Sequence, residues 1–291
     1  MSAPIVVGVD GSASAVTAAA WAAREAARLR VPLRLVHAYL LPAQGYPELV
    51  VNGPEVREAF EQQGLQWLQE AAEAARMAVP NVEVETVLVV DRPAAALITE
   101  SRRARMIVLG SQGLGGFSGL LVGSVAVAVS AHGHSPVVVV REPVDERGPV
   151  VVGVDGSPVS EQAVAFAFEE ASLRGAPLTA VIAWTDVLVD SVYGSRFTVD
   201  WSQVEDEQRR ILAERLAGWQ EKYPDVEVTR VVLRDRPVRA LLTAAVGAQL
   251  LVVGSHGHGG FAGMVLGSTS QGLVYHATCP LAVVRPTQDQ P

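Results

Sequence analysis

"IVVGVDGSAS", Ile5 to Ser14, is an apolar run that stops on an aspartate and a glycine. It returns as "VVVGVDGSPV", Val150 to Val159. Other blocks return with it, in the same order. "VPLRLVHAY" at Val31 pairs with "APLTAVIAW" at Ala176, and "VEVETVLVVDRP" at Val82 with "VEVTRVVLRDRP" at Val226. "MIVLGSQGLGGF" at Met106 pairs with "LLVVGSHGHGGF" at Leu250, and "SPVVVVRE" at Ser135 with "CPLAVVRP" at Cys279. The offset stays at 144 or 145 throughout. That period is far longer than a solenoid repeat, so each copy is a whole domain. The sequence of 291 residues also suits two domains of ordinary size. The expected division is 1–143 and 149–291, joined by a charged, proline-bounded linker at 144–148.

Within each copy, runs such as "IVVGVD", "MIVLGS" and "PVVVV" are apolar at every position. Strands covered on both faces read this way. Helical stretches lie between them. "SAVTAAAWAAREAARLR" follows the first strand, with Ser14 as the expected N-cap and Pro32 as the stop. "EVREAFEQQGLQWLQEAAEAARMAV" and "EDEQRRILAERLAGWQEKY" follow the second strand of each copy. Alternation of this kind predicts an open α/β sheet with right-handed crossovers, five strands per copy.

Composition narrows the function. A net charge of −8 disfavours nucleic acid and acidic lipid as partners. Lys222 is the sole lysine among 23 basic residues. Cys279 is the sole cysteine, which suits a reducing compartment and a structural thiol. The start "MSAPIVVGVD" lacks the pattern of a signal peptide. The uncharged stretches 106–140 and 240–284 are broken by Gly, Ser and His, so no membrane span is expected.

The chemistry concentrates in two glycine-rich loops. Both follow one frame: G-x-x-G, nine residues, then G-S. The positions are Gly110, Gly113, Gly123 and Ser124 in the first copy, and Gly254, Gly257, Gly267 and Ser268 in the second. A Walker loop needs a lysine at the terminal phosphates, and Lys222 lies far from both loops, so that mechanism is excluded. Backbone chemistry remains. Glycines at positive φ would turn successive N–H groups inward as an anion nest. The closing G-S opens a helix whose free N–H groups face the same anion. Asp10 and Asp155 end the first strands, at the sheet edge where open α/β folds bind ligands. Either aspartate would meet a base, a ribose or a Mg2+ ion, or cap the next helix. Gly8 and Gly153 are expected to let the chain approach closely.

The histidines suggest no metal centre. His256 and His258 stand in the second loop where the first has Gln112 and Leu114. His132, His134 and His276 sit near helix ends without a cysteine pair to help them. Trp67, Trp201 and Trp219 fall in helical stretches and read as packing residues. No nucleophile triad or carboxylate pair stands out, so any hydrolysis should be slow.

"VGVDGS", the long glycine frame and "SPVVVVRE" together resemble the universal stress protein family, in its tandem two-domain, ATP-binding form. The resemblance covers almost all of both copies. It implies two Rossmann-like (adenine nucleotide alpha hydrolase-like) domains, each with a five-stranded parallel sheet of order 3-2-1-4-5. It implies a cytoplasmic, nucleotide-dependent regulator of stress response or growth arrest rather than a fast enzyme, with a slow ATPase or nucleotidyl-transferring enzyme as the alternative. ATP with Mg2+, the metal near Asp10 and Asp155, would occupy one site per domain. The first site would comprise Gly8, Asp10, Val36, Gly110, Ser111, Gln112, Gly113, Leu114, Gly115, Gly116, Gly123, Ser124 and Val125. The second would comprise Gly153, Asp155, Val181, Gly254, Ser255, His256, Gly257, His258, Gly259, Gly260, Gly267, Ser268, Thr269 and Ser270. Main-chain groups at 36–38 and 181–183 would meet the adenine. Two copies of the chain would pair through the fifth-strand edges, 137–140 and 281–284, beside an unidentified regulatory partner. The family's second hydroxyl is present as Ser270 but replaced by Ala126 in the first copy, which predicts weaker phosphate contact there.

Overall fold

The computed structural model describes residues 2–40, 54–113, 122–141, 146–185, 200–257 and 266–286. Leu114, Gly115, Gly116, His258, Gly259 and Gly260, all named above as site residues, lie outside these. Contacts divide the chain into two units, Met1–Glu142 and Pro143–Pro291.

The first unit runs β1 (Ile5–Gly8), α1 (Ala13–Leu29), β2 (Leu33–Tyr39), α2 (Pro54–Ala78), β3 (Val84–Val90), α3 (Pro93–Glu100), β4 (Met106–Gly110), α4 (Ser124–His132) and β5 (Val137–Val140). All its strand pairs are parallel, in the order β3-β2-β1-β4-β5. Ile5, Val6 and Val7 are consecutive and fully buried, as are Met106, Ile107 and Val108. Neighbouring residues on a strand point to opposite faces, so both faces of the central strands are covered. The edge strand β3 instead exposes part of each face, which explains its polar "VETVLVV" pattern.

Helix α1 begins two residues earlier than its sequence suggests. Its N-cap is Ser12, not Ser14, and the Ser12 hydroxyl accepts the Ala15 N–H at 3.2 Å. Ser14 faces the loop after β4 instead. The helix ends on Arg30, a left-handed residue at φ 55°. Its buried face is mainly alanine, from Ala15 through Ala26, which lets the helix lie close to the sheet.

The second unit repeats the plan: β6 (Val150–Gly153), α5 (Pro158–Arg174), β7 (Leu178–Trp184), α6 (Trp201–Lys222), β8 (Val228–Arg234), α7 (Pro237–Ala244), β9 (Leu250–Gly254), α8 (Ser268–His276) and β10 (Leu281–Val284). Its strands are again all parallel, ordered β8-β7-β6-β9-β10. Ser157 caps α5 by accepting the Ser160 N–H, and Gly175 closes the helix at φ 59°. A buried ion pair anchors that helix. Glu170 and Arg174 are each only 2 % exposed, and Arg174 also donates to the Gln249 side chain at 3.1 Å. In both units the connection from the first strand leaves to one side, and the fourth strand lies on the other. The crevice between those two strands is the topological switch point.

Candidate functional site

A cavity of about 500 Å3 opens at the switch point of the first unit. Its counterpart in the second unit measures about 270 Å3. Gly8, Asp10, Val36, Gly110, Gln112, Gly113, Gly123, Ser124 and Val125 line the first. Gly153, Asp155, Val181, Gly254, His256, Gly257, Gly267, Ser268, Thr269 and Ser270 line the second. Of the named residues that are described, only Ser111 and Ser255 stand behind the walls. Each there gives its carbonyl to the N-cap glycine: Gly123 N–H donates to Ser111 at 2.9 Å, and Gly267 N–H to Ser255 at 2.8 Å. This bond folds the end of the loop back over its beginning.

One end of each cavity is the start of a helix. Gly123 and Gly267 are the N-caps of α4 and α8, and neither helix receives a side-chain cap. Helices α1, α5 and α6 are capped by side chains, from Ser12, Ser157 and Asp200, while α3 and α7 also lack a side-chain cap but open on Pro93 and Pro237, which have no N–H to leave unpaired. A helix leaves its first N–H groups without internal partners, and a glycine cap leaves them open to an anion. The partial positive charge of the helix end adds to the attraction.

The glycines do this by providing room rather than by left-handed turns. None of the described loop glycines has positive φ; Gly123 sits at φ −69° and Gly267 at φ −67°. This corrects the nest expected from the sequence for these positions. At Gly113 and Gly257 what a side chain would lack is space. A β-carbon on Gly113 would overlap Oδ2 of Asp10, and one on Gly257 would overlap Oδ2 of Asp155. Positive φ occurs instead in the turns after β1 and β6, at Gly11 (83°) and Gly156 (81°). Gly8 and Gly153 serve packing: a β-carbon on Gly8 would lie 2.6 Å from Leu109, and one on Gly153 would lie 3.0 Å from Leu241.

Each aspartate holds the turn that follows it. Oδ1 of Asp10 accepts the Ser12 N–H at 3.0 Å and the Ser12 hydroxyl at 2.6 Å. Oδ1 of Asp155 accepts the Ser157 N–H at 2.9 Å. The turn made this way holds Oδ2 against the glycine loop. Asp10 and Asp155 therefore do not cap the helix themselves; they brace the serine that does. In the first unit Ser14 extends the brace. Its hydroxyl is bonded to the Gln112 carbonyl and accepts the Gln112 N–H at 3.3 Å, fixing the loop's entry to α1. Val159 takes that place in the second unit, and there the Ser255 hydroxyl instead meets His256 Nδ1 at 3.1 Å.

The far end of the cavity is a strand edge. The Val36 carbonyl accepts Val9 N–H at 2.9 Å, and Val181 accepts Val154 N–H at 2.8 Å, so these two carbonyls are engaged. The β1–β2 register ends at Gly8↔Val36, whereas β2 runs on to Tyr39. Two residues beyond Val36 the main chain faces the same edge again. That residue is Ala38, which lines the cavity, and Ala183 does so in the second unit. An edge that offers N–H and C=O groups side by side suits a planar heterocycle.

Several wall residues were not singled out from the sequence. Pro93 and Leu97, with Pro237 and Leu241, form an apolar side wall in each unit. The duplicated "DRP" after β3 and β8 carried the signal, because proline at the first helical position marks a helix opening at the sheet's carboxyl edge. Ser270 is placed differently from its expected role: its hydroxyl donates to the Gly254 carbonyl at 2.6 Å, so its proton is already committed. Cys279 is buried, and no cluster of three His, Cys, Asp or Glu residues able to hold a metal occurs among the described residues. No described helix is long and apolar enough to cross a membrane.

Comparison with known proteins covers the whole chain. The Universal stress protein family model matches residues 1–141 and 146–285. Universal stress protein Rv2005c of Mycobacterium tuberculosis is 43% identical over 290 residues, spanning 97% of this chain and 96% of the relative. Universal stress protein Rv2623 of the same species is 40% identical over 289 residues, with the same coverage. A crystal structure of a universal stress protein from Archaeoglobus fulgidus matches with a TM-score of 0.70, covering 99% of this chain and 97% of that one. Its 19% identity speaks to the fold alone.

Proposed function

The chain belongs to the universal stress protein family, and from that premise we propose that it is a nucleotide-dependent regulator with an ATP site in each unit. The observation that carries this reading is the pair of helices that open on a glycine N-cap at the cavity wall, with serine rather than proline as the first helical residue. The chain caps α1, α5 and α6 with side chains; α3 and α7 lack such a cap but begin on proline, whereas α4 and α8 begin on Gly-Ser with their first N–H groups at the cavities. Hydrogen bonds to a charged group contribute roughly 1.5–3 kcal/mol each, so two or three amides hold a phosphate without a lysine. The base lies along the Ala38 or Ala183 edge, with Leu97 or Leu241 against its ring. The ribose and first phosphate sit between the aspartate and the G-x-x-G turn.

Mg2+ fits the same arrangement. The ion keeps several waters and needs only one or two carboxylates beside phosphate oxygens. Oδ2 of Asp10 and of Asp155 are the carboxylate atoms that face the loops. When bound, the ion would neutralise charge between adjacent phosphates. The regulatory output follows occupancy: nucleotide joins the loop, the start of α4 and the end of β1, and a partner reads the joined surface. Cytoplasmic location and pairing of two chains complete the reading.

The test is to denature the purified protein and identify what it releases, then to dialyse emptied protein against Mg·ATP. ATP retained through purification, or rebound by the emptied protein, supports the reading. Emptied, folded protein that takes up no adenine nucleotide overturns it.

A further inference from the structure

We propose that the amino edge of the first unit, where its strands begin, is a docking surface for a carboxylate-rich segment of a partner protein. Arg30, Arg102, Arg103 and Arg105 form it, at the end of the sheet opposite the cavity. It does not depend on nucleotide in either cavity.

The backbone brings these arginines together. Arg30 closes α1 just before β2, and Arg105 immediately precedes β4. The start of β1 lies between them: Ile5 N–H donates to the Pro32 carbonyl at 3.0 Å, and Arg105 N–H donates to the Pro4 carbonyl at 2.8 Å. The starts of β2 and β4 are therefore two strand spacings apart, about 10 Å. Arg102 and Arg103 occupy the turn that leads into Arg105, donating their main-chain N–H groups to Thr99 and Glu100. All four residues are exposed.

The cluster contributes little to the fold. Arg30, Arg102 and Arg103 make no ion pair or side-chain hydrogen bond among the described residues. Other exposed arginines are held by carboxylates: Arg57 by Glu61, Arg209 by Asp206, Arg210 by Glu214 and Arg239 by Asp235. Like charges this close repel one another. Arg30 also holds a left-handed conformation at φ 55°, where the second unit has Gly175 at φ 59°. A side chain kept where glycine would be less strained points to a use for that side chain.

The second unit shows that the architecture forms without these arginines. Arg30, Arg102, Arg103 and Arg105 correspond there to Gly175, Val246, Gly247 and Gln249. Val246 is 75 % exposed, and Gln249 is buried with its amide donating to the Gly148 carbonyl at 2.6 Å.

The chemistry of the patch selects its partner. Guanidinium groups present planar forks of donors that match carboxylates. The neighbouring acids bound the patch. Glu25 is buried against Arg28, Glu100 is engaged by Arg34 at 3.1 Å, and Glu83 is exposed just before β3. A cationic span of about 10 Å suits a short acidic stretch of chain. A nucleic-acid duplex or an anionic bilayer would meet a wider surface of a chain with net charge −8.

Fluorescence anisotropy of a labelled peptide of alternating Asp and Glu, titrated with the full chain, tests the proposal. The peptide should bind, and more weakly as salt rises. Arg30→Gly, Arg102→Gln and Arg103→Gln together should weaken binding by about tenfold or more. The control triple Arg209→Gln, Arg210→Gln, Arg239→Gln removes the same charge elsewhere and should change the affinity by less than about threefold. Equal losses in the two triples, or no binding by the unmodified chain, would overturn the proposal. Tighter binding of a DNA duplex or of phosphatidylserine vesicles than of the peptide would overturn it too, by assigning the surface to nucleic acid or lipid. Circular dichroism confirms that each triple is folded; if the first is not, Arg102→Gln with Arg103→Gln takes its place, compared with Arg209→Gln and Arg210→Gln. Failure of the nucleotide reading would appear only in an ATP titration and would leave the peptide result unchanged.

Discussion

Oδ2 of Asp10 occupies the space that a β-carbon on Gly113 would need, and Asp155 and Gly257 stand in the same relation. The obstacle is the end of a side chain rather than main chain, so alanine at Gly113 is accommodated by turning the carboxylate away. Turning it breaks the two bonds by which Ser12 holds Oδ1. Gly113→Ala should therefore fold normally and weaken nucleotide binding in the first unit by about tenfold or more, the equivalent of one charged hydrogen bond. In an Asp10→Ala background the same change should do little further harm. A double-mutant cycle read by titration checks this, and additive losses would show that Gly113 acts independently of Asp10.

Arg30 closes α1 in the left-handed region at φ 55°, where the second unit has Gly175 at φ 59°. A left-handed conformation costs a non-glycine residue roughly 1–2 kcal/mol. Arg30 is exposed, so little is lost with its side chain. Arg30→Gly should stabilise the first unit by about 1 kcal/mol, after allowing for glycine's greater freedom when unfolded. Calorimetry should show the corresponding transition rise by about 4 °C. No rise, or a fall, would mean that the strain is relieved elsewhere in the chain.

The fold was legible because its signals are repeated and local. Fully apolar runs identify β1, β4 and β5 without reference to anything distant, and the second copy checks each one. The N-cap of α1 was misplaced for a physical reason. "DGSAS" holds two serines, and only the geometry of the Asp10 turn decides that Ser12 faces Ala15 while Ser14 faces Gln112. The glycine frame located the cavities, but not how its glycines act. Positive φ and absence of a side chain are alike in sequence, and Asp10 distinguishes them only once the loop is folded. Ser270 reads as an extra ligand donor until its main-chain partner, the Gly254 carbonyl, is seen.

Trp67 provides a reporter for the first unit alone. Its indole packs on Gly11, leaving no room there for a side chain, and meets the His37 ring edge-on at 5.2 Å between centroids. Gly11 separates Asp10 from Ser12, so a nucleotide that engages Asp10 changes the surroundings of Trp67. Ile211 lies at the equivalent place in the second repeat. Binding in the first cavity should shift tryptophan emission, and Trp67→Phe should remove most of that shift. Because Trp67 does not line the cavity, the dissociation constant should move by less than about threefold. An undiminished shift in the variant would place the reporting tryptophan elsewhere.

Gly123 separates stability from binding most directly. It caps α4 at φ −69°, ψ 146°, a conformation open to any residue. A β-carbon there would lie 3.7 Å from the Gly113 nitrogen and 3.9 Å from the Ser111 carbonyl oxygen, both ordinary contacts. Nothing in the fold therefore requires glycine at this position. Aspartate is among the preferred N-caps, and exceeds glycine by a few tenths of a kcal/mol. It also places negative charge at the positive end of the helix. Gly123→Asp should thus leave the first unit as stable as before, or more so by about 0.5 kcal/mol. The same carboxylate would occupy the amides meant for phosphate and repel the ligand, so triphosphate binding in the first unit should fall below detection. Thermal melts and titration on one preparation read both effects. A variant that melts lower and still binds would show that these amides are not where the anion goes.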